Sequence, residues 1–253
     1  MKEKFCIYSK TENIHGTIYT PNITSKILII CHGFGGGEFT NSHYPLLFEN
    51  CLNTQCAIVS FNFRGAGEQS NEIYSYTFND WISDLNNIIC YIKRKLGIYP
   101  IHILGISAGT WVGIRYCLNN SDISSLICIA PVLSHHIGMN SEGGPIKIYL
   151  KNKNLTKKII NFNSKKVTLS FFNVMLETEP CADMNDFKTP TFFLYGENDN
   201  PWRKADAILG YEILKKNNIS THIQEIRNGD HCLLNTNVQP PLSNLIVDWI
   251  SKY

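Results

Sequence analysis

Short apolar runs alternate along this chain with stretches of helical period, and that alternation restricts the folds open to it. Residues 26–31 form an almost continuous apolar run, whereas from Phe78 to Leu96 the apolar residues recur every three or four positions. The first pattern is typical of a strand buried on both faces, and the second predicts an amphipathic helix. Strands that alternate with helices predict an α/β fold, in which a mostly parallel central sheet has helices on both faces.

The same two patterns assign most of the chain. Thr77 and Asp80 are placed to cap the helix that starts at Phe78, and Gly97 stands where this helix would stop. We therefore expect a central sheet of about eight strands. The predicted strands are residues 5–9, 14–20, 26–31, 57–63, 101–106, 125–130, 191–195 and 221–226, and the further helices are 108–119, 205–216 and one that begins near Pro240.

Residues 134–187 do not follow the alternation. We expect a single domain, residues 1–253, with this stretch inserted as a cap over the site. Seven lysines and no acidic residue lie between Pro145 and Lys166. A charge run of this kind predicts a solvated basic face. The alternatives are a docking surface for an acidic carrier protein that bears an acyl thioester, and a surface that receives an anionic substrate.

Composition and charge argue against several functional classes. The formal net charge of +2 over 253 residues does not favour nucleic-acid binding. No apolar run approaches the roughly 18 residues of a membrane span. The nine cysteines are an odd number and no apolar leader opens the chain, so we expect reduced thiols and a cytoplasmic protein. His135-His136 is a tandem pair without metal-site spacing, so neither a metal nor a cofactor is expected.

The segment Gly105-Ile106-Ser107-Ala108-Gly109 has the form G-x-S-x-G. An apolar strand is predicted before it and an apolar helix after it, which is the context that makes this short pattern informative. A serine at such a turn is held in a tight backbone conformation, and small residues two positions to either side prevent clashes. Ser107 is therefore the candidate nucleophile, in preference to an idle serine in a glycine-rich turn.

A nucleophilic serine needs a base, and that base needs a carboxylate to orient it. His231 follows the last predicted strand, and Asp199 follows the strand before it. Both positions are loops at the carboxyl ends of strands, and the chain order is serine, aspartate, histidine. Asp199 is favoured as the orienting acid and Glu197 stays possible. Asp230 is less suited because adjacent side chains on a loop seldom pair in the required geometry.

Acyl transfer also needs donors for the oxyanion. His32-Gly33-Phe34-Gly35-Gly36-Gly37 follows the strand of residues 26–31, and its glycines let the backbone approach a substrate. The backbone N–H groups of Phe34 and Ala108 are the natural donor pair. The segment lacks the ending of a P-loop, so we reject nucleotide binding. His32 is expected to hold the loop rather than act as a second base.

These motifs, with Phe63-Arg64-Gly65-Ala66-Gly67 between them, stand in the order found in the α/β-hydrolase superfamily. The chain resembles its small esterase and serine-aminopeptidase-like group, which includes feruloyl esterases and monoacylglycerol lipases. The resemblance covers nearly the whole chain except the cap, although Gln69 stands where that group often has serine. It implies a serine hydrolase and argues against the members of the superfamily that use an aspartate nucleophile.

The substrate is expected to be a small-molecule carboxylic ester, cleaved through an acyl-enzyme. Thioesterase or acyltransferase action on carrier- or CoA-linked acyl groups is the main alternative, and a slow-turnover receptor or a peptidase of the same fold stays open. The residues expected to line the substrate pocket are Gly33, Gly35, His135, Phe171, Phe172 and Met175.

Overall fold

Strands and helices alternate in the computed structural model, which describes residues 1–8, 12–66, 73–74, 76–134, 159–162, 165–168, 170–171 and 180–253. Two short 3₁₀ turns, Met184–Asp186 and Thr236–Val238, accompany the regular elements. The strands are β1 (Lys2–Ile7), β2 (Ile14–Tyr19), β3 (Lys26–Cys31), β4 (Cys56–Phe61), β5 (Ile73–Tyr74), β6 (Ile101–Ile106), β7 (Ser125–Ile129), β8 (Ile159–Phe162), β9 (Lys165–Thr168), β10 (Thr191–Gly196) and β11 (Thr221–Ile226). The helices are α1 (Pro45–Asn53), α2 (Phe78–Leu96), α3 (Ala108–Asn119), α4 (Pro180–Asp183), α5 (Pro201–Lys216) and α6 (Gln239–Lys252).

The described strands form a central sheet of eight, in the order β1-β2-β4-β3-β6-β7-β10-β11. β2 runs antiparallel to both β1 and β4, and every pair from β4 onward is parallel. Because β3, β6, β7, β10 and β11 share one direction, their carboxyl ends meet at one edge of the sheet. The prediction of a mostly parallel α/β sheet is confirmed, and this edge is where the candidate site lies.

Both faces of the sheet are buried against helices. In β3, Ile27, Ile29 and Cys31 belong to one core cluster, while Leu28 and Ile30 belong to the other. Residues of α2, α3 and α5 complete the first cluster, and residues of α1 and α6 complete the second. A central strand is therefore apolar at nearly every position, which explains the almost continuous apolar runs of the sequence.

Helix α2 begins and ends where its sequence predicts. Thr77 and Asp80 form a capping box, in which each side chain accepts from the other's backbone N–H. Gly97 closes the helix at a φ of 106°, a backbone conformation that favours glycine. None of the described helices, this 19-residue helix included, combines the length and apolar composition that a membrane span requires.

Several element boundaries differ from the sequence prediction, and three of the differences have a simple physical reason. Helix α1 was not predicted, because only Leu47, Phe48 and Cys51 of its nine residues are buried. Strand β1 starts at Lys2 rather than Phe5, since it is an edge strand whose first residues are exposed. Helix α5 starts at Pro201 rather than Ala205, because proline is tolerated in the first turn, where no intrahelical acceptor faces its nitrogen.

The segment predicted as a cap lies mostly outside the described residues, including the five lysines between residues 147 and 158. Within it, β8 and β9 pair antiparallel, and β9 pairs parallel with β5. This small sheet joins the segment to the chain just before α2. The single domain and the inserted cap stay predictions.

Candidate active site

Ser107 occupies a sharp turn between β6 and α3. Its backbone has φ 51° and ψ −117°, outside the conformations that a residue with a Cβ ordinarily adopts. The Ser107 N–H donates to the Ile129 carbonyl at 2.8 Å, and the Ser107 carbonyl accepts from the Thr110 N–H at 2.9 Å. Two neighbouring elements therefore hold the strained residue in place, which is typical of a functional position.

The glycines on either side of Ser107 are required by close packing. A Cβ on Gly105 would lie 2.7 Å from the Gly109 carbonyl oxygen, and one on Gly109 would lie 2.2 Å from the Cys31 carbonyl oxygen. Both distances are shorter than any normal contact. Glycine at these positions lets α3 pack directly on β6 and β3, which aims the first turn of α3 at the site.

Asp199 and His231 form a hydrogen-bonded pair on the loops after β10 and β11. His231 Nδ1 lies 2.9 Å from each carboxylate oxygen of Asp199. The Asp199 side chain is 5% exposed, whereas the His231 side chain is 42% exposed. A carboxylate at Nδ1 accepts the proton of that nitrogen, so Nε2 carries the lone pair and can act as a base.

The two rival carboxylates have other partners. Glu197 accepts from the Asn228 N–H at 2.8 Å, which ties the β10 loop to the β11 loop. Asp230 accepts from the Leu234 N–H at 2.9 Å and closes the turn after His231. The geometry thus pairs Asp199, and neither of the rivals, with the histidine.

The glycine-rich loop after β3 lies against the start of α3. A Cβ on Gly33 would be 3.0 Å from Ser107 Cβ and 3.6 Å from the Ala108 nitrogen. As the first residue of α3, Ala108 has an N–H with no acceptor inside the helix. Phe34 follows Gly33 directly, so the loop carrying one predicted oxyanion donor adjoins the turn carrying the other.

His32 joins two loops and is held uncharged. Its Nδ1 donates to the Gly33 carbonyl at 2.8 Å, and its Nε2 accepts from the Phe63 N–H at 3.0 Å. Complete burial lowers the pKa of His32 to about 4. Both ring nitrogens are engaged in hydrogen bonds to the backbone, which agrees with the prediction that His32 holds the loop.

Arg203, in the first turn of α5, is a site residue that sequence reasoning missed. Its Nη2 donates to Ser107 Oγ at 3.3 Å, and its Nη1 donates to the Pro131 carbonyl at 3.1 Å. Among the described residues, no hydrogen bond joins Ser107 to His231. The predicted helix started at Ala205 and left Arg203 in a loop, although the proline at position 201 is a signal for an earlier start.

Comparison with protein families and solved structures identifies this architecture. A family profile described as alpha/beta hydrolase fold matches residues 26–150. The structure of Est1E from Butyrivibrio proteoclasticus with bound ferulic acid is similar over 98% of both chains, with a TM-score of 0.78 and 14% sequence identity. The protein has the α/β-hydrolase fold. No curated protein sequence matches the chain significantly.

Other solved structures with this α/β-hydrolase fold are also esterases. A thermostable carboxyl esterase from Bacillus coagulans, in complex with glycerol, has a TM-score of 0.78 and 13% identity, over 99% of this chain and 98% of the other. An esterase from Pyrococcus furiosus has a TM-score of 0.72 and 16% identity, over 100% of this chain and 93% of the other. At identities this low, the structural similarity establishes only the shared fold. The chemistry therefore has to be argued from the site.

The structure describes three of the six residues that the sequence predicts to line the substrate pocket. Gly33 and Gly35 lie in the loop beside Ser107, with Gly35 at a φ of 75°. Phe171 is buried, and its ring packs against those of Phe34 and Phe78, with centroids 5.5 and 5.0 Å away. This residue attaches the segment predicted as a cap to the core beside the glycine-rich loop. The predicted His135, Phe172 and Met175 lie outside the described residues.

Proposed function

We propose that the protein is a serine hydrolase that cleaves a carboxylic ester through an acyl-enzyme on Ser107. The observation that carries this proposal is the left-handed turn at Ser107, at the same sheet edge as the Asp199–His231 pair. A nucleophilic serine and a histidine that a carboxylate orients are the groups that acyl transfer requires, and both lie at this edge. The esterase names of several structural neighbours support the same reaction class.

In the acylation step, Ser107 Oγ attacks the ester carbonyl carbon while His231 Nε2 takes the hydroxyl proton. The new Oγ–C bond converts the carbonyl into a tetrahedral oxyanion, which the Phe34 and Ala108 N–H groups stabilise. The carbon–alkoxy bond then breaks, and the alcohol leaves with the proton held by His231. Asp199 keeps the imidazole in the required tautomer and stabilises its charge.

In the deacylation step, water attacks the acyl-enzyme and His231 accepts its proton. The second tetrahedral oxyanion collapses, the Oγ–C bond breaks, and His231 returns the proton to Ser107. The products are one carboxylic acid and one alcohol for each ester and water consumed. No external oxidant, reductant or metal is required by this balance.

Cys232, which follows His231, does not compete as the nucleophile. Burial raises the pKa of its thiol to about 11, so the thiol stays protonated at neutral pH. The thiol is a poor nucleophile compared with the thiolate. The proposed covalent chemistry therefore belongs to Ser107.

Labelling with a fluorophosphonate probe tests the proposal, because such probes react with a serine that is activated by a base. We expect the wild-type protein to be labelled and Ser107→Ala to lose the label. Ser83→Ala is the matched control, since Ser83 lies on the exposed face of α2 and donates to the Asn79 carbonyl. Labelling that persists in folded Ser107→Ala would refute the assignment.

A substrate panel defines the reaction class. p-Nitrophenyl esters, acyl thioesters and aminoacyl amides are compared with the same preparation of enzyme. We expect the highest kcat/KM on the oxygen esters, with turnover abolished by Ser107→Ala. Preferential cleavage of thioesters or of amides would replace the ester proposal by the thioesterase or the peptidase alternative.

A further inference from the structure

Arg203 places a charged group beside the proposed nucleophile. The residue is 8% exposed, and its guanidinium stacks on the Trp202 ring, with Cζ 3.6 Å from the ring centroid. Its two Nη atoms are fixed by Pro131 and Ser107, as described above. The triad chemistry proposed for Ser107 needs no such cation, so its position calls for a separate explanation.

The positive charge of Arg203 persists in the folded protein. Burial lowers the pKa of Arg203 to about 10, which leaves the guanidinium protonated at neutral pH. Arg203 also lies in the first turn of the 16-residue helix α5, where the helix dipole adds positive potential and no acidic residue offsets it. Burial and the helix dipole both raise the energy of the Arg203 cation, so an anion bound beside the guanidinium is favoured.

Nearby carboxylates are committed to other groups. The charges of Asp199 and Asp206 act on Arg203 through space. Asp199 is bound to His231 and to the Asn200 N–H, and Asp206 accepts from the Leu133 N–H at 3.0 Å. Within the described part of the chain, neither forms an ion pair with the guanidinium within 4 Å.

One edge of the guanidinium is suited to a ligand. Nε is buried and has no hydrogen-bond partner among the described residues. An unmet buried donor is unfavourable, and more so on a charged group. Nε and Nη2 together form the side edge of the guanidinium, which matches the two oxygens of a carboxylate. This edge includes Nη2, the atom that contacts Ser107 Oγ.

We propose that Arg203 binds a carboxylate of the substrate, so that the preferred substrates are small esters that carry a carboxylate close to the scissile bond. This inference rests on the proposed ester hydrolysis and names the substrate class of the same site. Because Nη2 lies 3.3 Å from Ser107 Oγ, the carboxylate and the ester carbonyl are separated by roughly one to three carbon atoms.

Binding of that carboxylate also frees the nucleophile. In the structure, Nη2 donates to the same oxygen that has to attack the carbonyl. A carboxylate is a stronger acceptor than a hydroxyl, so it draws the Nη2 donor away from Oγ. The Oγ lone pair that accepted from Nη2 is then free to attack the carbonyl carbon, which couples recognition of the anion to formation of the nucleophile.

The first test measures kcat/KM for matched pairs of charged and neutral esters. The pairs are monomethyl and dimethyl malonate, and monomethyl and dimethyl succinate. We expect Arg203→Met to lower the ratio of charged to neutral kcat/KM by about 10- to 100-fold, the effect of one charge-assisted hydrogen-bonded pair. Arg203→Lys keeps the charge but lacks the planar edge, and is expected to recover part of the ratio.

Lys204→Met is the matched control. Lys204 is the adjacent cation on α5, but it is exposed and pairs with Glu225 at 2.9 Å. Its replacement is expected to leave the ratio at the wild-type value. Equal loss on charged and neutral esters in Arg203→Met would show that Arg203 only supports the fold, and would overturn the proposal.

The position of the carboxylate in the substrate is tested separately. Methyl half-esters carry it on the acyl side, whereas acetoxyacetate carries it on the alcohol side. A ratio that depends on Arg203 for one of these substrates assigns the guanidinium to that side of the scissile bond. Independence from Arg203 in both arms contradicts the proposal.

A binding measurement distinguishes failure of this inference from failure of the proposed hydrolysis. Monomethyl malonate is titrated into Ser107→Ala and into Ser107→Ala with Arg203→Met, with tryptophan fluorescence as the readout, because Trp202 stacks on Arg203. We expect saturable binding in the first protein and at least tenfold weaker binding in the second. Arg203-dependent binding without esterase activity in the wild type would refute the hydrolysis alone, whereas equal binding or no binding in both variants would refute the carboxylate site.

Discussion

At the residue scale, the candidate site shows how one hydrogen bond selects among similar side chains. Three carboxylates lie on the two loops that follow β10 and β11: Glu197 and Asp199 on the first loop, and Asp230 on the second. Glu197 and Asp230 bind backbone N–H groups alone, whereas Asp199 binds His231 Nδ1 as well as the Asn200 N–H. A carboxylate that accepts from a backbone N–H shapes its loop, while one that accepts from an imidazole controls the basicity and orientation of that ring.

Asp199→Asn is expected to lower kcat by roughly 10³- to 10⁴-fold, because an amide no longer fixes the productive tautomer of His231. Glu197→Gln is the control, and it is expected to change kcat by less than about tenfold, since its carbonyl oxygen can still accept from Asn228. Steady-state rates on a p-nitrophenyl ester measure both. A larger loss in Glu197→Gln than in Asp199→Asn would reverse the assignment of the acid.

At the scale of secondary-structure elements, the site depends on how closely α3 packs on β3. A Cβ on Gly109 would lie 2.2 Å from the Cys31 carbonyl oxygen, and this oxygen belongs to backbone that cannot rotate away. Gly113, one turn later in α3, faces only the ends of side chains, with Leu126 Cδ1 at 2.9 Å and Ile103 Cγ2 at 3.4 Å. In the same helix, a side chain at Gly109 would clash with backbone, whereas a side chain at Gly113 would meet only other side chains.

Gly109→Ala is expected to lower the free energy of unfolding by about 2–4 kcal/mol, because α3 has to move away from β3. Gly113→Ala is expected to change it by less than about 1 kcal/mol, since side-chain adjustment is offset by the better helix propensity of alanine. Urea unfolding of the two variants makes the comparison. Equal destabilisation would show that the backbone contact at Gly109 is not the controlling one.

At the scale of the whole molecule, two of the histidines that the structure describes are buried in the core and held without charge. Burial lowers the pKa of both His32 and His102 from 6.5 to about 4. The unfolded chain therefore binds protons below about pH 6.5 that the folded protein binds only near pH 4. Stability from these groups is fully present above pH 6.5 and is lost as the pH falls toward 4.

His102→Gln is expected to reduce this loss of stability on acidification by up to about 1.4 kcal/mol per pH unit between pH 6.5 and 4. Glutamine does not titrate and can keep a hydrogen bond to Ser125, which His102 Nδ1 contacts at 2.8 Å. Burial raises the pKa of Asp84 to about 6, so this carboxyl favours the folded state on acidification and opposes the effect of the histidines. Its contribution is the same in the wild type and in His102→Gln, and it cancels in the comparison. Urea unfolding at several pH values measures the difference, and parallel curves would contradict the assignment.

Most of the elements that sequence patterns located have a continuous buried face, and β11, predicted at its observed bounds although only Ile226 is buried, is the exception. β3, β6 and α2 were predicted within a residue of their bounds, because their apolar residues follow one period from end to end. α1 and the first turn of α5 were missed, since burial there is partial and the turn carries a proline and an arginine. A periodic pattern is most informative where one whole face of an element is covered.

By itself, the sequence determined the strand–turn–helix unit around Ser107 and the placement of Asp199 and His231 after neighbouring strands. These features are local, since they depend on apolar period and on glycine at fixed positions. Tertiary structure decided which carboxylate meets His231 and brought Arg203 to Ser107, 96 residues away along the chain. Such contacts depend on strand order and on where α5 begins, because a short shift of that helix would point another side chain at the nucleophile.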